Sequence, residues 1–303
     1  MPRVLITGAA GFIGMHTAIR FLKEGWDVVG LDNLNDYYDV GLKHDRINQI
    51  VKCSDSIQSS FQIIYEDLNS KVWERLYQVE FKAVVHLAAQ AGVRYSLENP
   101  TAYLESNIFG FQKVLDFVKL KRIKRFVYAS TVYVYGKEGG FYRCSKKAAE
   151  DYVKEYFNSY NLNYTILQYG SLYGPRSDLS NGLYRIVDSA IKTGYLKYEG
   201  DPSATRSYIH VEDAAESSVD ILSNDFKNES VIISGLESIK IIDMLKTLAE
   251  IMGLSKDKIE FLDSPQVGHY VITPYSYKRN IGKKYIPSKN IDLGQGLLQL
   301  IRM

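Results

Sequence analysis

The chain has 303 residues, 46% hydrophobic and 24% charged, which is the make-up of a water-soluble globular protein with room for one large domain or two smaller ones. A formal net charge of +2 and no basic stripe exclude nucleic acid as the expected partner. No run reaches the roughly eighteen apolar residues of a membrane span, and Cys53 and Cys144 lack metal-ligand spacing, so the expectation is a cytoplasmic protein with no membrane partner and no metal.

The first thirty-odd residues set the pattern. Val4, Leu5 and Ile6 predict a buried strand, and a glycine-punctuated turn follows with Gly8, Gly11 and Gly14. Phe12, Ile13, Ala18, Ile19 and Leu22 recur at helical spacing, Gly25 closes the helix, and a second strand ends at Asp32. This β-turn-α-β unit is the size that a dinucleotide needs. The glycines let a diphosphate approach the free N–H groups of the helix start, and Asp32 stands where a carboxylate accepts from an adenosine ribose. An acid followed by Asn33 rather than Arg would repel a ribose 2′-phosphate, which favours NAD over NADP.

Further along, a helix is expected to about residue 51, a strand over 61–65, a helix over 71–79 and a strand over 83–89. Asp67 and Leu68 follow the third strand, where they could bracket an adenine or where Asp67 could simply cap a helix. Ala88 and Ala89 are small, as needed where backbone passes close to a cofactor, and His86 reads as a packed core histidine. One long helix is expected over 101–119, strands over 125–130 and 164–169, and a helix over 142–160. Strands alternating with helices imply an α/β fold, a doubly wound parallel Rossmann sheet. Beyond Gly170 the pattern loosens, with helices near 183–192, 212–222, 241–252 and 297–301, a short strand at 208–211, and a last sheet strand at 231–234. The expected division is residues 1–170 with 206–235 as the dinucleotide-binding domain, and 171–205 with 236–303 as a smaller α/β substrate domain.

Tyr142 and Lys146 carry the chemistry. A spacing of i and i+4 puts both on one helix face, and a nearby ammonium, together with the positive charge of an oxidised nicotinamide, favours the phenolate of a tyrosine whose free pKa is about 10. Ser130 and Thr131 end the preceding strand and offer hydroxyls to hold a substrate oxygen.

The three glycines, the Ser/Thr pair and Tyr142 with Lys146 resemble the extended short-chain dehydrogenase/reductase family of nucleotide-sugar enzymes. The stretches 30–39 and 86–96 resemble UDP-glucuronate 4-epimerases, and the resemblance covers nearly the whole chain. It implies tightly held NAD, a nucleotide-sugar substrate and a homodimer formed through two long helices. It also implies Thr131 as the catalytic hydroxyl, Tyr142 as the base, Lys146 as its partner, and Gly8, Gly11, Phe12, Ile13, Gly14, Asp32, Asn33, Asp67, Leu68 and Ala88 as cofactor contacts. Ser130, Arg94, Ser171 and Arg206 fall at substrate contacts, and Arg176 falls near an arginine that grips a sugar carboxylate. Arg206 and Arg176 suit phosphate and carboxylate, though either could be a surface ion pair.

Related dehydratases and decarboxylases carry carboxylates just after the catalytic Thr. Here Val132 and Tyr133 stand there, which favours epimerisation through a transient 4-keto sugar. Net oxidation or reduction at C4 of the sugar, or NAD binding without catalysis, are the rival readings. The chain departs from the family in the ten residues between Thr131 and Tyr142, a shorter run than usual, and in Gln168 and His269, where Arg and Asp are common.

Overall fold

Short apolar runs bounded by turns become the strands of one parallel sheet in this computed structural model, which describes residues 1–262, 268–277 and 281–302. The strands that begin the chain are β1 (Arg3–Thr7), β2 (Asp27–Asp32), β3 (Phe61–Tyr65), β4 (Ala83–His86), β5 (Arg125–Thr131) and β6 (Tyr164–Tyr169). With the strands Glu229–Ile233 and Lys283–Tyr285 they form eight in the order Lys283–Tyr285, Glu229–Ile233, β6, β5, β4, β1, β2, β3, every neighbour parallel. Side chains alternate between faces. Leu5, Val29, Val84, Phe126 and Ile166 face one core, and Val4, Ile6, Val28, Val85, Val127 and Leu167 face the other. Both faces are therefore apolar and both are covered by helices, as a parallel sheet requires.

One face packs against α6 (Phe111–Leu120) and α7 (Gly140–Tyr160), through Phe111, Val114, Leu115 and Val153. The other packs against α1 (Phe12–Lys23) and the helix Val211–Asp220, through Ala18, Phe21, Leu22 and Ala214. The remaining helices of the first half are α2 (Val40–Asp55), α3 (Val72–Leu76), α4 (Val93–Glu98) and α5 (Pro100–Leu104). A third core joins the helices Gly182–Thr193, Ile241–Met252 and Leu293–Ile301 to a two-stranded sheet of Leu196–Glu199 and Ile259–Leu262. Among the described residues no helix is long and apolar enough to cross a membrane.

Four expectations are corrected. Glu229–Ile233 does not end the sheet, because Lys283–Tyr285 pairs beside it, so part of the 236–303 stretch belongs to the eight-stranded sheet. β4 stops at His86, and residues 87–89 leave the sheet to wall a cleft. The 71–79 helix shrinks to α3. The 101–119 helix is broken by a π-helical turn, Glu105–Gly110. The π turn shifts the inward face, so Tyr103, Asn107 and Gly110 are buried while Leu104 and Phe109 are more than half exposed.

The turn between β1 and α1 has no spare space. A Cβ on Gly14 would lie 1.9 Å from the Gly8 carbonyl oxygen, and one on Gly8, at φ +74°, would lie 2.7 Å from the Ala88 nitrogen. Gly14→Ala is therefore expected to lower Tm by several degrees and to abolish dinucleotide binding. Gly182→Ala, with nothing within 4 Å of the added carbon, should leave Tm unchanged or slightly raised. Calorimetry with and without the dinucleotide reads both. His16 on α1 is buried against the Pro175 carbonyl at 3.0 Å, and burial pushes its pKa down to about 4 from 6.5. The unfolded chain then binds the extra proton between those values, so stability falls as pH drops from about 6.5 to about 4. His16→Asn should make that part of a Tm-against-pH curve shallower, with His86, His210 and His269, which burial lowers likewise, supplying the slope that remains.

Candidate active site

A cleft of about 1210 Å³ opens at the carboxyl ends of the parallel strands, where an open α/β sheet binds its ligands. The glycine turn forms its floor at one end. Gly11 is the residue before α1 and has no side chain to cap the helix, so the first N–H groups of α1 have no side-chain cap and are offered to the cleft. Gly8, Gly11, Phe12, Ile13 and Gly14 all line it.

The acids at the end of β2 and after β3 are already engaged in the local structure. Asp32 accepts from the Ala10 N–H at 3.0 Å and from the Leu34 N–H at 2.9 Å, one bond to each carboxylate oxygen. Each oxygen keeps a further lone pair, enough for a ribose hydroxyl. Asp67 accepts from Asn33 Nδ2 and from the Asn69 N–H, both at 2.8 Å, so Asn33 and Asp67 close one corner of the cleft together. Leu68 and Ala88 line the same end.

At the carboxyl end of β5 the expected catalytic side chains come together. The Tyr142 phenol and the Thr131 hydroxyl lie beside one another and both face the cleft. Lys146, one turn further along α7, stands behind them and donates to the Ala129 carbonyl at 2.7 Å, with its ammonium 5.0 Å from the centre of the Tyr128 ring. Burial pushes the Tyr142 phenol up to about 12, against the Thr131 hydrogen bond that lowers it. Burial brings the Lys146 amine down to about 7, against the nearby Glu150 carboxylate that raises it. Desolvation is the largest influence on both groups and favours the neutral form of each.

Two expected substrate contacts are not in the cleft. Ser130 donates at 2.6 Å to Glu150, a carboxylate 2% exposed, because successive side chains of β5 point to opposite faces and only Thr131 reaches the cleft. Arg176 sits at φ +66° with its carbonyl accepting twice from Arg46, at 3.1 and 2.6 Å, and its guanidinium is ion-paired with Asp45 on α2. Arg94 lies at the rim, 83% exposed and 3.7 Å from Glu98. Ser171 and Arg206 do line the cleft. Arg206 is 8% exposed, stacked 4.4 Å over Tyr270, and donates through Nη1 to the Thr205 and Tyr270 carbonyls at 2.9 Å each.

Some contributors had no signal in the sequence. Asn107, in the π turn, accepts from the Gln90 N–H at 2.7 Å and donates to the Gln90 carbonyl and the Ser145 hydroxyl at 3.0 Å each. It thereby fixes the start of α7 against the chain leaving β4. Arg46 is wholly buried and ties Tyr38, the Ala10 carbonyl and Asp178 into one brace under the cleft.

The architecture and the glycine turn agree with comparison to known proteins, in which residues 4–234 match the NAD dependent epimerase/dehydratase family. The chain belongs to that family. It is 32% identical to the UDP-glucuronate 4-epimerase of Thermodesulfobacterium geofontis, over 87% of this chain and 84% of that protein. It is 35% identical to Protein CapI of Staphylococcus aureus over 71% of this chain and 67% of the relative. The solved UDP-glucuronic acid 4-epimerase of Bacillus cereus, in complex with UDP-glucuronic acid and NAD, superposes with a TM-score of 0.84 at 28% identity, over 99% of this chain and 98% of the other.

The residues present fit NAD. The uncapped helix start suits its diphosphate, the cradle that no Cβ could enter suits close backbone approach, and the acids at the end of β2 and after β3 suit its adenosine half. Tyr142→Phe, which keeps the ring and its packing, is expected to lower kcat by about 10²–10⁴-fold while NAD still binds. Single-turnover kinetics and NAD titration of the variant check this, and unchanged turnover would remove Tyr142 as the base.

Proposed function

We propose that this protein is an NAD-dependent epimerase that inverts C4 of UDP-glucuronate through a transient 4-keto sugar. The observation that carries the reading is the Thr131–Tyr142 hydroxyl pair, backed by Lys146, at the end of β5 in a cleft that begins at an uncapped glycine turn. Thr131 holds the sugar 4-hydroxyl, and Tyr142 takes its proton and later returns it. NAD, when bound, supplies a reversible hydride acceptor and a positive charge beside the phenol. The charge favours the phenolate that burial alone disfavours. Lys146 holds its ammonium between the Ala129 carbonyl and the Tyr128 ring, close behind the base. Arg206 faces the diphosphate of the substrate, while Ser171 lies beside it. Val132 and Tyr133 put no carboxylate next to Thr131, so the keto sugar meets no group suited to expel water or carbon dioxide from it. The same reading includes a homodimer through the α5–α7 side, supported by the exposed Leu104, Phe109 and Tyr152.

A second reading follows from Arg176. Its guanidinium is ion-paired with Asp45 and is not among the side chains lining the cleft, which supports a neutral UDP-hexose as the alternative substrate. One experiment separates the two. UDP-glucuronate and UDP-glucose are each incubated with the protein and catalytic NAD, following absorbance at 340 nm and the sugars by NMR. UDP-galacturonate without net absorbance is the expected result. UDP-galactose alone would establish the second reading, and stoichiometric absorbance would replace epimerisation by net oxidation.

A further inference from the structure

The flank of the cleft beside Tyr142 is built from two pieces of chain far apart in sequence. Tyr133 lies in the 3-10 turn Val132–Tyr135 that follows β5, and His269 comes from the C-terminal part of the chain. Both line the cleft. The Tyr133 hydroxyl and His269 Nδ1 are 2.7 Å apart, and the Tyr133 ring stands edge-on to Tyr142 with centroids 6.4 Å apart.

His269 is firmly held. The Gly139 N–H, just before α7, donates to the Gly268 carbonyl at 2.8 Å. Arg206 donates to the Tyr270 carbonyl at 2.9 Å, and the Thr205 N–H donates to the Val271 carbonyl at 2.8 Å. Tyr270 also packs on Tyr133, with ring centroids 4.9 Å apart. The 268–271 segment is thus stitched to the turn before α7 on one side and to the Arg206 strand on the other. Only ten residues join Thr131 to Tyr142, and this segment supplies the wall beside that short connection.

The protonation of the pair follows from its surroundings. Burial, with Arg206 and Arg185 nearby, holds His269 down at about 4, and burial holds the Tyr133 phenol up, so both are neutral at pH 7. The phenol then donates to Nδ1, which leaves the ring proton on Nε2. Nε2–H has no partner among the described residues, and the phenol oxygen retains its accepting lone pairs.

We propose that Tyr133 and His269 are sugar-contacting residues, an uncharged donor–acceptor pair that hydrogen-bonds the hexosyl group of the nucleotide sugar and fixes it against Tyr142. The proposal rests on the nucleotide-sugar reading above. Because the pair adjoins the base, UDP without its sugar should not sense it.

The test is calorimetric titration of the NAD-loaded protein with UDP, UDP-glucuronate and UDP-glucose, for wild type, Tyr133→Phe, His269→Ala and His269→Gln. Tyr133→Phe and His269→Ala should keep UDP affinity within about twofold of wild type. Each should weaken the preferred UDP-sugar about tenfold, the size of one hydrogen bond, with a matching rise in KM. His269→Gln, which restores an N–H donor, should recover part of the loss. A lowered Tm with UDP-sugar affinity unchanged would reduce the pair to an internal brace and overturn the proposal. Equal weakening of UDP and UDP-sugar would overturn it too, by moving the pair to the nucleotide end. A wild-type protein that binds a UDP-sugar more tightly than UDP but epimerises none would overturn the epimerase reading, while the variants' loss of sugar affinity would still support the pair.

Discussion

The packing of the glycine turn against itself and against the chain leaving β4 is the constraint on which the rest depends. The Gly8 N–H donates to the Leu31 carbonyl at 2.7 Å, and its own carbonyl accepts from the Gly11 N–H at 3.0 Å. Those bonds bring β1, β2 and the start of α1 into one knot with no room for a side chain. The uncapped end of α1 then faces the cleft, and residues 87–89 must pass directly over the turn. Ala88 is small because Gly8 lies beneath it, and its N–H reaches the Thr7 hydroxyl at 3.3 Å. Ligand site and sheet are products of the same close approach.

At the far end of the cleft, burial rather than charge pairing sets the chemistry. Tyr142 and Lys146 share a helix face, yet the ammonium engages the Ala129 carbonyl and the phenol engages Thr131. Each is pushed toward its neutral form. Glu150 moderates this from the same helix. It accepts from Ser130 and from Gln168 at 2.9 Å, and it opposes the loss of charge on Lys146.

The helix that carries Asn107 shows why pattern reading missed a structural centre. Its apolar residues repeat at helical spacing on both sides of the π turn, so the sequence reads as one rod. The extra residue in that turn brings Asn107 inward, where it satisfies both main-chain groups of Gln90 and meets Ser145. Buried Asn107 is 2% exposed in a segment whose outward residues include Phe109 at 57%. Periodicity carries no mark of this, because the partners that justify it lie on other elements.

The sequence by itself determined the elements whose signals are local. Continuous apolar runs gave β1, β2, β3, β5 and β6, glycine spacing gave the turn before α1, and the spacing of i and i+4 put Tyr142 and Lys146 on successive turns of α7. Tertiary structure alone decided what depended on distant partners. Lys283–Tyr285 joined the sheet because Glu229–Ile233 left an edge unpaired. Arg176 turned away because Arg46 holds its carbonyl, Ser130 turned down to Glu150 by the alternation of β5, and His269 entered the cleft because the 268–271 segment is pinned between Gly139 and Arg206. Local periodicity reports which face a residue shares with its neighbours in sequence. Which group that face meets is fixed only when the chain has folded and each buried polar atom has found a partner.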